Sequence, residues 1–255
     1  MTQETLLPRT VVVTGGNRGI GAGIVRAFVA AGDRVLVGAR TDTHLEEDLG
    51  EAVRFARCDV RSEADLAALA DAALEWTGRL DVWVNCAGFS AWRRVEDVDE
   101  TFWDEMLDTN LKGTFFGCKV AAGRLDAGGA IVNVSSIAGR RGSANNSVYC
   151  ASKFGVTGVT QSLAKELGPG GVRVNAVCPV YVDTDGLMEA LEGPHSPAGG
   201  GDVGAYLAAF AADQTALKRL PSAAEVGAAV VFLASPAASA ITGQSLHVDC
   251  GVMPA

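Results

Sequence analysis

No two cysteines of this chain stand in a Cys-x-x-Cys spacing, no block of like charge stands out, and no apolar stretch approaches membrane-spanning length without a glycine or a charge. Each absence removes a class of function. The six cysteines, at 58, 86, 118, 150, 178 and 250, lie apart in apolar segments. They read as small buried hydrophobes in a reducing cytosol, not as metal ligands or a disulfide framework. His195 and His247 stand alone, without ligand spacing, so no metal is expected. A spanning helix is not expected either. The start, "MTQETLLPRTVVVTGG", lacks a basic stretch followed by an apolar run and a cleavage site, so it does not read as a secretory signal. A net charge of −9 argues against nucleic acid or an anionic membrane as partner. Proline is modest at 8 residues and 48% of the chain is hydrophobic, which excludes a disordered composition. A cytoplasmic protein of 255 residues with a sizeable core is the expectation.

What the chain does contain is an alternation of short β-branched runs with long Ala/Leu-rich segments. Strands are predicted at 9–16, 34–40, 53–60, 80–88, 128–136, 172–179 and 245–250. Helices are predicted at 21–33, 62–78, 99–125, 147–167 and 222–234. Ser62 is placed as an N-cap, with Asp65 at the capping-box position. The alternation implies an α/β fold, a doubly wound parallel sheet with helices on both faces. There is no internal repeat and no dividing linker, so a single domain is expected over 1–255. The one shift in composition, "LEGPHSPAGGGDVG" at 191–204, reads as a mobile loop. It lies in a longer region, 185–219, that has the features of a substrate loop or lid. Val203, Leu207 and Phe210 there have helical spacing.

The string "TGGNRGIG" puts Gly15, Gly19 and Gly21 between the first strand and the first helix. The first permits a sharp turn, the second a close approach of backbone to ligand, and the third close helix–strand packing. A helix N-terminus at such a turn receives a pyrophosphate. After the second strand, the acid that holds a free ribose 2′-hydroxyl is missing: Ala39 stands in its place, followed by Arg40. With Arg18 in the glycine loop, two guanidiniums suit a 2′-phosphate. NADP (as NADPH) is the expected cofactor. NAD is the alternative, since a small loop shift would bring Asp42 near the ribose.

With these features stand "CDV" at 58–60, "VNCAG" at 84–88, "DTNLKGTF" at 108–115, "IVNVSSIAG" at 131–139, "YCASK" at 149–153 and "CPVYVDT" at 178–184. In order and spacing the chain resembles the short-chain dehydrogenase/reductase family over essentially its full length. Within that family it is most similar to ketoreductases of the 3-oxoacyl-carrier-protein reductase type. The resemblance implies a Rossmann fold and four catalytic positions. Tyr149 is the implied acid/base and Lys153 its activator and ribose ligand. Ser136 holds the substrate oxygen, with Ser135 as its rival. Asn110 holds a water linked to Lys153. A lysine four residues along a helix shares a face with the tyrosine, and its ammonium is expected to lower the phenol's pKa. The implied cofactor contacts are Gly15, Asn17, Arg18, Gly19, Ile20, Gly21, Arg40, Asp59, Val60, Asn85, Ala87, Gly88, Tyr149, Lys153, Val182 and Thr184.

Two positions depart from the family pattern, Cys86 where a second asparagine is common and Val180 where a glycine follows the proline. Val180 is expected to narrow the pocket. Substrate contacts are expected from Ser136, Trp92 and Tyr181, while Arg93, Arg94, Arg140 and Arg141 read first as surface or subunit-contact residues. The implied activity is reduction of a ketone or 3-oxoacyl carbonyl to a secondary alcohol. An NAD-dependent secondary alcohol dehydrogenase and a non-catalytic dinucleotide sensor or scaffold are the alternatives. A small carbonyl or alcohol is the implied partner, in a homotetramer or homodimer.

Overall fold

A computed structural model describes residues 8–254. The reading of the N-terminus falls largely on residues 1–7, outside the described residues.

Seven strands form one parallel sheet: β1 (Thr10–Thr14), β2 (Arg34–Ala39), β3 (Val53–Arg57), β4 (Val82–Asn85), β5 (Ala130–Val134), β6 (Arg173–Pro179) and β7 (Ser245–Val248). Their spatial order is β3-β2-β1-β4-β5-β6-β7, and every pairing is parallel. This is the doubly wound α/β architecture that the alternation predicts. The central strands are valine-rich because both of their faces are covered. One face packs on α1 (Gly19–Ala30) and α9 (Ala223–Ala234) through Ile24, Phe28, Val226 and Val230. The other packs on α3 (Glu63–Thr77), α5 (Gly113–Ala122) and α6 (Ser147–Leu167) through Leu66, Leu69, Cys118 and Ala164. The cysteines are unpaired, and Cys58, Cys118, Cys150 and Cys178 are buried, as expected of small hydrophobes.

Three expectations are corrected in detail. The third strand stops at Arg57, because Asp59 turns the chain by accepting the N–H of Arg61 at 3.1 Å. At α3, Ser62 accepts from the Asp65 N–H at 3.2 Å, but the Asp65 carboxylate does not return to the Ser62 main chain. It accepts from the Ser62 hydroxyl at 2.8 Å and the Asp59 N–H at 3.0 Å, being one methylene short of a full box. The long helical segment is α4 (Glu100–Leu107), a π-helical turn over Asp108–Lys112, and α5. The remaining helices are α2 (Leu45–Leu49), α7 (Asp185–Leu191) and α8 (Val203–Gln214). Two of these occupy much of the region read as a loop, with Thr184 and Asp202 as their side-chain N-caps.

Candidate active site

The strand order reverses between β1 and β4, and open α/β sheets bind ligands beyond the strand carboxyl ends at such a point. The chain that leaves β1 there is shaped by missing side chains. Gly15 has φ +66°, and a Cβ on it would lie 2.7 Å from the Ala87 Cα. A Cβ on Gly21 would run into the Gly15 carbonyl oxygen, and one on Gly19 would reach the Thr184 methyl at 3.4 Å. The start of α1 has no side-chain cap and no acid in its first turn, so its free N–H groups and positive dipole end face the crevice. A cradle that a Cβ would fill, at an uncapped helix start, fits the pyrophosphate of a dinucleotide.

The neighbouring residues set the adenosine end. Asn17 fixes the loop after β2, donating from its amide to the Thr41 carbonyl at 3.0 Å and accepting the Thr43 hydroxyl at 2.7 Å. Arg18 and Arg40, the neighbours of this bond, are exposed. Among the described residues neither has an acid within ion-pair distance. Asp42 folds back on its own turn, accepting the His44 N–H at 2.8 Å. Asp42, His44 and Glu46 gather ligand atoms within 4.8 Å of one another, on a loop where exposed acids need no ion. Asp59 is gripped by Arg61, which holds its carboxyl down at about 2, with Arg40 adding a smaller pull. Ile20 packs on the core and Val60 is buried.

Asn85 has its side chain engaged within the fold. Its side chain accepts the Trp83 indole N–H at 2.8 Å and donates to Asn133 at 2.9 Å and to the Cys118 sulfur at 3.3 Å. This buried network turns the amide away from the glycine loop, leaving only the main chain of Asn85 to a ligand. Beyond it, the N–H groups of Cys86 and Ala87 donate to the Thr14 hydroxyl at 3.2 and 3.4 Å. Burial pushes the Cys86 thiol up to about 12, and the charge of Lys153 works against that. Val180 is buried, and Val182 joins the apolar layer under α1.

At the reacting end, α6 carries Tyr149 and Lys153, while Ser136 follows β5. The rival serines separate cleanly. Ser135 is buried and its hydroxyl donates to the Lys153 carbonyl at 3.1 Å. Ser136 is half-buried; its hydroxyl accepts the Ala138 N–H at 3.1 Å, lies 3.5 Å from the Pro179 carbonyl, and acts to lower the Tyr149 phenol. Lys153 is only 6% exposed and donates to the Val134 carbonyl at 2.9 Å. Its Nζ lies 5.7 Å from the Tyr149 ring centroid.

Asn110 sits in the π-helical turn, where its side chain accepts the Phe89 N–H at 3.0 Å and donates to the Phe89 carbonyl at 2.9 Å. A Cβ on Gly88 would lie 2.9 Å from Asn110 Oδ1 and 3.7 Å from Lys153 Nζ. The close approach at Gly88 therefore brings Asn110, Lys153 and the end of β4 together.

The expected lowering of the phenol is not found. Burial pushes Tyr149 up to about 12, with the Ser136 hydroxyl offsetting part of the rise. Burial brings Lys153 down to about 8. The ammonium donates to the Val134 carbonyl and not to the phenol oxygen, so desolvation wins.

The two expected apolar substrate residues do meet. Trp92 and Tyr181 share a cluster with Leu187, Leu191, Val203 and Leu207 of α7 and α8. Tyr206 and Phe210, on α8, both pack edge-on against Tyr181, with centroids at 6.0 and 4.8 Å. Tyr206 is absent from the residues that the sequence singles out, although its spacing of four from Phe210 is a visible signal. Arg93 stacks over Phe102 at 4.2 Å and Arg94 pairs with Asp97 at 2.9 Å, which fits their reading as surface residues. His195, between α7 and α8, lies 3.4 Å from Asp97, and its carbonyl accepts the Asn145 amide at 3.2 Å. The region thereby touches the loops after β4 and β5. A cleft of about 940 Å³ lies elsewhere, between α6 and β7. Its lining includes none of the glycine-loop residues and none of Asn110, Ser136, Tyr149 and Lys153.

Fold and site together define an α/β oxidoreductase with a cradle for a dinucleotide. The family model described as enoyl-(acyl carrier protein) reductase matches residues 15–253. The short-chain reductase protein NovJ of Streptomyces niveus is 38% identical over 94% of this chain and 92% of its own length. A 3-alpha-(or 20-beta)-hydroxysteroid dehydrogenase of Mycobacterium tuberculosis is 38% identical over 97% of this chain and 90% of its own. Among solved structures, a single-residue variant of actinorhodin polyketide ketoreductase with NADPH superposes with a TM-score of 0.87 at 33% identity, over 96% of this chain and 97% of that one. The chain belongs to the short-chain dehydrogenase/reductase family, of the ketoreductase type. Among the described residues no helix is long and apolar enough to cross a membrane.

Proposed function

We propose that the chain is a cytoplasmic NADPH-dependent reductase that converts a ketone or 3-oxoacyl-type carbonyl into a secondary alcohol. The observation that carries the reading is the meeting of Ser136, Tyr149, Lys153 and Asn110 at the carboxyl edge of the sheet, beside Gly88. The dinucleotide, when bound, supplies the hydride.

The chain's own residues do the rest. The hydroxyls of Ser136 and Tyr149 hold the carbonyl oxygen, and Tyr149 gives it a proton as negative charge develops there. With its pKa raised to about 12, Tyr149 holds its proton near neutrality, the state in which a donor must begin. Lys153, at about 8, is mostly cationic at pH 7 and favours the phenolate left behind. Asn110 fixes the main chain at Phe89 and borders the lysine. Gly15, Gly19 and Gly21, with the start of α1, take the pyrophosphate. Arg18 and Arg40 take the 2′-phosphate, a choice supported by their lack of acidic partners among the described residues and by the engagement of Asp42 with its own turn.

The chain works as one domain, with 185–219 as its substrate loop. Copies associate through the C-terminal end, in a homodimer or homotetramer. That placement is supported by the position of β7 at the edge of the sheet and by the 40% exposed Leu246.

Initial rates across a panel of ketones and secondary alcohols, with NADPH/NADP and NADH/NAD in parallel, test the reading. Ketone reduction with the higher kcat/KM for NADPH is expected. A higher kcat/KM for NADH overturns the cofactor assignment. Cofactor binding with no turnover of any member of the panel overturns the reductase.

A further inference from the structure

The pair formed by Tyr181 and Tyr206 has more hydrogen-bonding capacity than the fold uses. Their hydroxyl oxygens are 3.2 Å apart, and this is the one hydrogen bond either hydroxyl makes among the described residues. The separation exceeds the ~2.5–3.0 Å usual for a hydroxyl–hydroxyl bond. Each phenol carries one proton. The mutual bond uses one, so the pair retains a second proton and spare lone pairs at a half-buried position. Burial also holds Tyr181 above the ordinary tyrosine pKa, so its proton stays on.

The pair faces the reacting end. Tyr181 stands two residues after Pro179, whose carbonyl lies 3.5 Å from the Ser136 hydroxyl. The phenol of Tyr149 is close enough to act on Tyr181 electrostatically, and so is Arg141. Tyr206 comes from the opposite side, on a helix whose other inward residues, Val203, Leu207 and Phe210, are apolar. Packing does not explain its oxygen. Phe210 lies closer to the Tyr181 ring, 4.8 Å against 6.0 Å for Tyr206, and has no hydroxyl.

We propose that the Tyr181–Tyr206 hydroxyl pair is a second recognition point, which binds an oxygen of the substrate other than the one reduced. This rests on the reductase reading and narrows its substrate class to ketones that carry a further oxygen acceptor, such as an ester, thioester or second carbonyl. The aromatic rings of the cluster cover the apolar part of such a substrate. The unused phenolic proton is donated to the additional oxygen, and Tyr149 acts on the reacting one. Tyr206 thereby sets specificity without touching the reacting atoms.

The test compares ethyl 3-oxohexanoate with nonan-4-one, the same nine-atom chain with the ester C(=O)–O unit replaced by two methylenes. The readout is the ratio of the two kcat/KM values in wild type and in Tyr206→Phe, which keeps the ring and removes the hydroxyl. Losing one hydrogen bond to the substrate lowers the ratio about tenfold, mostly through the KM of the ester. A packing role moves both ketones together and leaves the ratio where it was, and that outcome overturns the proposal. If wild type reduces neither compound, the reductase reading is decided by the wider panel and not by this pair. The same ratio is then read from the Kd values of the two compounds for the NADPH-loaded protein, and a ratio unchanged by Tyr206→Phe overturns the pair.

Discussion

The two ends of the crevice are built in opposite ways. The cofactor end is made by removing side chains: at Gly15 and Gly21 a Cβ would collide with the neighbouring main chain, and α1 starts without a cap. The reacting end is made by burying polar side chains, namely Lys153, Asn110 and Ser135, in a shell of hydrogen bonds. A site made of backbone is set by local geometry and tolerates no added atom. A site made of buried side chains is set by partners far away in the chain and tolerates isosteric replacement, with loss of chemistry alone.

That contrast is open to direct attack. The largest effect is expected at the reacting end. Tyr149→Phe should keep the fold and cofactor binding while kcat falls by about 10²–10⁴, the usual worth of a positioned acid. Turnover near wild type in a folded variant would remove Tyr149 from its role.

At the cofactor end, Gly21→Ala forces a methyl onto the Gly15 carbonyl, a strain of about 1–3 kcal/mol. It should lower Tm and weaken NADPH binding together, as Tyr149→Phe should not. An unchanged Kd for NADPH would show that the loop yields.

The third effect is one of pH. Lys153 titrates at about 8 in the free protein, so kcat/KM for reduction should be flat below that value and fall about tenfold per pH unit above it. The folded pKa is depressed below the ordinary lysine value. Unfolding therefore takes up protons between about 8 and the lysine reference of about 10.4, and stability rises with pH across that window. Lys153→Met should abolish this rise. Parallel Tm–pH curves for the two proteins would refute the assignment.

A smaller effect is expected from Ala39→Asp, which sets a carboxylate where a 2′-phosphate would lie and should move the NADPH/NADH preference about tenfold toward NADH. Deleting 194–201 should act least, raising KM a few-fold, since His195 holds that segment only by half-exposed contacts to Asp97 and Asn145. Hydrogen exchange over 185–212 should slow further in the ternary complex than with cofactor alone. No change in either would leave the segment a surface insertion.

The same contrast explains what the sequence displays. Strand runs, the glycine spacing and the Tyr149–Lys153 interval are local, and the fold follows from them. The engagement of the Asn85 amide is not legible because its partners Asn133 and Cys118 are 48 and 33 residues away. The Tyr149 shift runs opposite to expectation because charge proximity shows in a sequence while desolvation does not. Tyr206 is inconspicuous because its meaning depends on Tyr181, 25 residues earlier. The helical content of 185–219 is half visible, since Val203, Leu207 and Phe210 betray α8 while the glycines around 199–201 obscure what precedes it.

The π-helical turn at Asp108–Lys112 has a geometric corollary. An α-helix rotates about 100° per residue, and a π turn takes in one residue beyond the regular repeat. The rod from Glu100 to Ala122 is therefore two helices out of phase. Its leading half sets Phe102 and Met106 against Val148 beside Tyr149, while its trailing half sets Cys118 and Val120 under the sheet. One straight helix in a single phase would satisfy only one of those partners. Removing a single residue from 108–112 would therefore act as a rotation, not as a shortening. The two halves would fall into step, and either Asn110 or the base of the sheet would lose its place.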